Sequence, residues 1–136
     1  MGIQLTTPSS NGSQFTVNLN SKNRTIDITS HAGNRFSFHL SAIRDLYLWL
    51  RDDCGGQWVL LGTKGEEETP NVGTVEEWAR SPDNPIGDWY GLTAGRRGRF
   101  ASFIPPILEL LDLVELEHNA QNNRIRALPV TAQDQA

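Results

Sequence analysis

Apolar and polar residues alternate in three short stretches near the start of the chain. The stretches QFTVNLN, RTIDIT and RFSFHL each place their apolar side chains at every second position, and the joints NSKN and SHAGN between them are rich in turn residues. A period of two residues is typical of strands that bury one face. The pattern therefore predicts a three-stranded antiparallel meander over residues 13–40, preceded by a flexible tail over residues 1–12.

Beyond residue 40 the apolar residues change to the spacing of a helix. They recur at steps of three and four residues between Ile43 and Leu50, and Ser41 stands at the position of a helix N-cap. The pair Gly55-Gly56 ends this helix.

Two shorter segments follow, separated and followed by loops. QWVLLGT is an apolar run of strand length, and TVEEWAR begins with a capping box formed by Thr74 and Glu77. The acidic stretch KGEEETPNVG between them is typical of a loop. Residues 81–99 are rich in glycine and proline and predict a second loop, which Trp89, Tyr90 and Leu92 anchor to the core.

A third helix and a hairpin complete the pattern. Helical spacing of apolar residues runs from Phe100 to Leu111. Pro105 and Pro106 either start the regular helix near Ile104 or bend a longer one. The stretch LVELEHNAQNNRIRAL then alternates around the polar joint NAQNN, which predicts a β-hairpin.

From residue 41 the predicted order is helix, short strand, helix, loop, helix and hairpin. This order resembles that of a winged-helix domain over residues 41–128, with the meander added in front. The resemblance implies an α+β fold. It also implies that the third helix enters the major groove of duplex DNA and that the hairpin is a wing touching phosphate or the minor groove.

Basic residues are concentrated at the entrance to the third helix. The whole chain carries a net charge of −4, yet Arg96, Arg97 and Arg99 stand together just before that helix. Free N–H groups at a helix N-terminus bind anions, and arginines add bidentate phosphate donors. The run predicts phosphate contact; the alternative is that these arginines pair with the acidic stretch 66–77 of the same molecule.

The hairpin carries a second pair of arginines. If NAQN forms its loop, Glu117 lies opposite Arg124 and Glu115 lies opposite Arg126, which predicts cross-strand ion pairs. The asparagines at the tip stay free to reach a ligand. The predicted nucleic-acid contacts are Arg96, Arg97, Arg99, Ser102, Asn122, Asn123 and Arg124.

No catalytic or metal-binding constellation stands out. Cys54, the single cysteine, follows Asp52 and Asp53, whose charges raise a thiol pKa and disfavour a nucleophilic role. The three histidines lack ligand spacing, and GEEETP is typical of a solvated loop. We therefore predict a non-enzymatic protein with no metal and no cofactor.

The predicted function is nucleic-acid binding, with duplex DNA as the expected ligand, in a regulator or recognition module. The alternative is a protein-interaction module of the same fold, using the acidic 66–77 stretch or an open meander edge. The chain has the length of one domain. It shows no signal-peptide pattern and no apolar run near the ~20 residues of a membrane helix. We expect a cytoplasmic protein with no membrane partner and a flexible tail over 129–136.

Overall fold

The computed structural model of the protein describes residues 2–129. It is a mixed α+β structure with two antiparallel sheets and short helices. The strands are β1 (Ile3–Thr6), β2 (Gln14–Asn20), β3 (Thr25–Ser30), β4 (Arg35–His39), β5 (Val59–Leu60), β6 (Val114–Leu116) and β7 (Arg124–Ala127). The helices are α1 (Ala42–Leu48) with a π-helical extension (Trp49–Asp53), α2 (Val75–Trp78), α3 (Phe100–Phe103) and α4 (Pro105–Leu110).

The first sheet is a meander in the order β1-β2-β3-β4. The three predicted strands are confirmed as β2, β3 and β4, and their alternation buries Phe15, Val17, Ile26, Ile28 and Phe38 on one face. The prediction of a flexible tail over residues 1–12 is wrong, because Ile3–Thr6 pairs with β2 as a fourth strand.

The segment after β1 is held against the hairpin loop. The N–H of Ser10 donates to the carbonyl of Asn119 at 2.9 Å, and the hydroxyl of Ser9 donates to the carbonyl of Ala120 at 3.0 Å. The start of the chain therefore connects the two sheets, which local sequence patterns do not reveal.

The second sheet has the order β5-β7-β6 and contains the predicted hairpin. Both predicted ion pairs are confirmed. Arg124 Nη2 lies 2.7 Å from Glu117 Oε2, and Arg126 Nη2 lies 2.7 Å from Glu115 Oε1.

The starts of the helices differ in how their backbone N–H groups are satisfied. The hydroxyl of Ser41 makes no capping bond, so the predicted side-chain cap of α1 is wrong, whereas Thr74 Oγ1 does accept from the N–H of Glu77 at 3.3 Å. The third helix divides at Ile104 into α3 and α4, and two prolines occupy the first positions of α4, where a missing N–H costs little.

The core lies between the first sheet and the helices. Phe103 packs edge-on against Phe15 at 5.1 Å between ring centroids, and Tyr90 stacks on Trp78 at 5.2 Å. The fully buried Tyr90 also donates its hydroxyl to Asp45 Oδ2 at 2.9 Å. Tyr90 thus anchors the loop 81–99 to the core, as predicted, whereas Trp89 is only partly buried and Leu92 is exposed.

Within residues 2–129, no helix is both long enough and apolar enough to cross a bilayer. The predicted tail over 129–136 lies outside the described residues after Pro129.

Candidate nucleic-acid interface

A buried ion pair between Glu76 and Arg80 organises the region around the arginine run. Glu76 is 0% exposed and the Arg80 side chain 8%, and Arg80 Nη2 lies 3.0 Å from Glu76 Oε2. The same guanidinium donates to the carbonyls of Lys64, Gly65 and Glu68 at 2.8 to 2.9 Å. Arg80 therefore fixes the path of the acidic loop.

Glu76 also occupies the start of α3. Its carboxylate accepts from the N–H groups of Phe100 at 3.3 Å and Ala101 at 3.0 Å, which are N–H groups that a helix leaves free at its start. Burial raises the pKa of Glu76, an effect opposed by the hydrogen bond from Ala101 and by the charge of Arg80. The anion at this helix entrance is thus an internal carboxylate, and these two N–H groups are not free for an external phosphate.

A second glutamate holds the backbone of the arginine run. Glu66 accepts from the N–H of Gly95 at 3.0 Å and from the N–H of Arg97 at 2.9 Å. Gly98 packs so closely on this loop that a Cβ atom would collide with the backbone nitrogen of Glu66. The space that a side chain at Gly98 would need is therefore occupied by the acidic loop.

Glu66 and Glu76 do not form ion pairs with the guanidinium groups of the arginine run, Arg96, Arg97 and Arg99. None of the three takes part in an ion pair among residues 2–129. Arg96 is exposed and its guanidinium carbon lies 6.0 Å from the Phe36 ring centroid. Arg99 is exposed and has a left-handed backbone, with φ of 64°. Arg97 differs, because its Nε atom is buried and has no hydrogen-bond partner.

The exposed arginines lie on a series of three neighbouring concavities, which we call the polar groove. The first, of about 340 Å³, is lined by Lys64 and the hairpin tip; the second, also about 340 Å³, contains His31; the third, about 520 Å³, contains Arg96. Ser102 lines the first and second, and Arg99 lines the second and third. Adjacent concavities thus share side chains.

The predicted contact residues divide into two groups. Arg96, Arg99, Ser102 and Asn122 line the polar groove. Asn123 also borders it, but its side-chain amide is engaged by the backbone of Asn119, with Oδ1 accepting at 2.6 Å and Nδ2 donating at 3.0 Å.

Arg124 lies outside the polar groove, and its guanidinium is paired with a glutamate. It makes two hydrogen bonds from its side chain to Glu117, at 2.9 and 2.7 Å, and its guanidinium stacks on Trp58 at 4.9 Å. The Nε and Nη2 atoms of Arg124 and the side-chain amide of Asn123 are thus engaged within the molecule, and Arg97 does not line the polar groove.

Two groove residues, Lys64 and Phe36, were not among the predicted contacts. Lys64 follows β5, and its carbonyl accepts from the N–H of Arg99 at 2.8 Å. Phe36 lines the second and third concavities because it lies near the start of β4 and is only partly buried. The partial exposure of Phe36 could have been predicted from the sequence, because Phe36 is the first inward-facing residue of its strand, where burial is incomplete. The position of Lys64 depends on a contact 35 residues away along the chain and has no local signal.

The thiol of Cys54 does not line the polar groove. Burial and the charge of Asp53 raise the pKa of the Cys54 thiol to about 11, the direction predicted from its acidic neighbours. Among residues 2–129, no group of three or more His, Cys, Asp or Glu side chains is placed to hold a metal ion.

Comparison with known proteins gives a family match that spans the fold and the groove together. The profile of a group described as "Family of unknown function (DUF6855)" matches residues 2–128. No curated protein and no solved structure matches the chain.

Proposed function

We propose that this chain, which belongs to the family of unknown function DUF6855, binds nucleic acid through phosphate contacts along the polar groove. Lys64, Arg96 and Arg99 supply the positive charge, and Ser102 and Asn122 supply neutral hydrogen-bond donors beside them.

The observation that carries this proposal concerns the arginine run. Its backbone is held by hydrogen bonds, whereas its two exposed guanidinium groups remain unpaired within the described part of the chain. Glu66 accepts from two N–H groups of the run, and Glu76 is paired with Arg80. The exposed guanidinium groups of Arg96 and Arg99 are left without an ion-pair partner among the described residues. Guanidinium groups held on a fixed loop offer paired donors to phosphate oxygens.

The order of elements supports the proposal at the level of the fold. From α1 onward the chain runs helix, strand, helix, loop, helix and hairpin, the order in which it resembles a winged-helix domain. That resemblance favours nucleic acid over other polyanions, whereas the contact residues are inferred from the groove itself.

The test is the salt dependence of binding to a fluorescent oligonucleotide, followed by anisotropy between about 25 and 200 mM salt. Three phosphate contacts predict a slope of log K against log salt of about −2 to −3. The double variant Arg96→Gln/Arg99→Gln should flatten that slope by about 1.5 to 2 while keeping its unfolding temperature.

Lys22→Gln is the control for removing a positive charge outside the groove. Lys22 is exposed in the turn between β2 and β3, at the opposite end of β3 from the groove residue His31. Its removal should leave the slope unchanged. The proposal fails if no oligonucleotide binds at the lowest salt, or if the control and the double variant weaken binding equally.

A second candidate function, docking of another protein strand, is favoured by the free edge of β1. The opposite edge strand is covered, because Gly91 bridges Phe38 of β4, whereas β1 has no strand on its outer side within the described residues. Ile3 and Leu19 lie on one face beside this edge and are 50% and 55% exposed. An unprotected edge flanked by apolar side chains is a template for strand addition.

Self-pairing of β1 across a two-fold axis is the form of this candidate that can be tested directly. Light scattering at rising protein concentration should show dimers, and Ile3→Lys should abolish them by placing a charge at the pairing edge. A monomer at every concentration contradicts this candidate.

A further inference from the structure

We infer that the strand bound in the polar groove is single-stranded, with a base stacked on Phe36 and phosphates held by Lys64, Arg96 and Arg99. This inference rests on the proposed function and replaces the duplex that the sequence led us to expect.

The helix expected to enter duplex DNA has no suitable free face. To read bases, a helix must place polar side chains within the ~12 Å wide major groove. Nearly every residue from Phe100 to Leu108 is buried, Ser102 being the exception. Beyond Ser102, the surface of α4 consists of Glu109 and Leu110, so this surface offers a phosphate backbone a negative charge and no positive one.

The hairpin likewise has no free arginine to act as a wing. Arg124 and Arg126 are paired with glutamates on β6 and on its extension, at 2.7 Å each. Both guanidinium groups also stack on Trp58, with their central carbon atoms 4.9 and 4.5 Å from the ring centroid. A duplex clamped between helix and wing would therefore meet few free cations.

The free cations lie instead along a concave surface with an aromatic side chain in its wall. Phe36 is partly buried, and its ring packs against Phe103 at 4.9 Å between centroids, which fixes its position. Its remaining surface borders both the second and the third concavity, and Arg96 lies beside it. Aromatic rings next to basic side chains are the usual stacking sites for unpaired bases.

Three carboxylates limit how many phosphates the groove can hold. Glu66, Glu67 and Glu68 line the third concavity. Glu66 is engaged by backbone N–H groups of the arginine run, and Glu68 accepts from the N–H of Gly65 at 2.9 Å. Their charges oppose a polyanion, so the strand makes few phosphate contacts and binds with modest affinity.

The experiment compares three fluorescent ligands of equal length at low salt. They are a thymidine strand, the same strand in duplex form, and an abasic strand with the same phosphates and no bases. The thymidine strand should bind at least about tenfold more tightly than either of the others. Phe36→Leu, which keeps an apolar side chain under the groove, should weaken thymidine-strand binding by about tenfold and leave abasic-strand binding unchanged.

The outcomes separate this inference from the proposed function. Duplex binding as tight as that of the thymidine strand overturns the inference and keeps the proposed function. An equal loss of thymidine-strand and abasic-strand binding in Phe36→Leu shows that Phe36 acts on the fold, and also overturns it. Absence of binding to all three ligands overturns both.

Discussion

Glu76 holds two parts of the structure near the groove, because its buried carboxylate accepts hydrogen bonds both from Arg80 and from the start of α3. Glu76→Gln keeps the shape but removes the charge, leaving the guanidinium of Arg80 buried without its counter-ion. Breaking a buried pair on one side costs about 3–5 kcal/mol of unfolding free energy. Urea unfolding of the variant should show a loss of this size.

Glu77→Gln is the matched control for that measurement. Glu77 lies in the same helix but is less buried, and its carboxylate makes a single weak contact with the N–H of Gly73 at 3.4 Å. Its loss should cost less than about 1 kcal/mol. A loss from Glu76→Gln as small as that of the control would contradict the role described for the Glu76–Arg80 pair.

At the scale of elements, the acidic loop and the arginine run can pack together only because Gly98 lacks a side chain. Gly98→Ala places a methyl group against the backbone of Gly65 and Glu66. We expect a loss of at least about 1–3 kcal/mol in thermal or urea unfolding, because backbone cannot move aside as a flexible side chain can.

Gly33→Ala controls for the general cost of replacing glycine. It lies in a turn with φ of 88° and open space around it, so only backbone strain is introduced there. A Gly98→Ala variant no less stable than Gly33→Ala would contradict the packing described for the two loops.

His118 joins three elements and makes their association depend on pH. Its Nε2 lies 2.6 Å from Glu109 Oε2, and its Nδ1 lies 2.8 Å from the carbonyl of Pro8. The hydrogen bond to Glu109 raises the pKa of His118 above its ordinary value of 6.5. Protonated His118 therefore favours the folded state, and this stability is present below pH 6.5 and lost as pH rises through the higher folded pKa.

The effect should be small, about 0.5 kcal/mol, because the pair is exposed to solvent. Unfolding free energies measured from slightly acidic to slightly basic pH should fall for the unmodified chain relative to His118→Gln. Parallel curves for the two proteins would rule out this contribution of His118.

Elements with a clear period were predictable from the sequence, and those that depend on distant partners were not. The alternation in β2, β3 and β4 reports burial of one face directly, and the charges at Glu117 and Arg124 fix the hairpin register. Strand β1 escaped prediction because IQLT is short, and its stability comes from pairing with β2 and from contacts of the following segment with Asn119 and Ala120.

At the scale of the whole molecule, basic and acidic side chains line the same groove and have opposite effects on the binding of an anion. The contribution of a single acidic side chain can be measured. Glu67 is exposed on the third concavity. Removing one exposed charge about 8 Å from a phosphate changes the interaction by about 0.5 kcal/mol in water. Glu67→Gln should therefore strengthen oligonucleotide binding about twofold at low salt, and the gain should vanish at high salt.

Asp83→Gln is a control with the same change in net charge. Asp83 is exposed in the loop 81–99 and does not line the three concavities. A gain of equal size in both variants would show that net charge, rather than the position of Glu67, sets the affinity.

The site was predictable only in part, for a physical reason. A run of arginines is visible in the sequence, but which of their groups stay free depends on where Glu66 and Glu76 reach. Those contacts span 24 to 31 residues of chain. Asn123 shows the opposite outcome. This polar residue at the hairpin tip was predicted to be free, but it is buried and hydrogen-bonded to the backbone of Asn119.

At Arg99 the stability of the fold and the proposed binding of nucleic acid have opposite requirements, because the backbone of this residue is left-handed. A residue with a Cβ atom at φ near 64° is strained, and glycine there would relieve up to about 1 kcal/mol. Arg99→Gly should thus raise the unfolding temperature while removing a cation from the groove. Directed evolution for thermal tolerance alone would tend to discard Arg99, whereas selection for ligand capture would keep it.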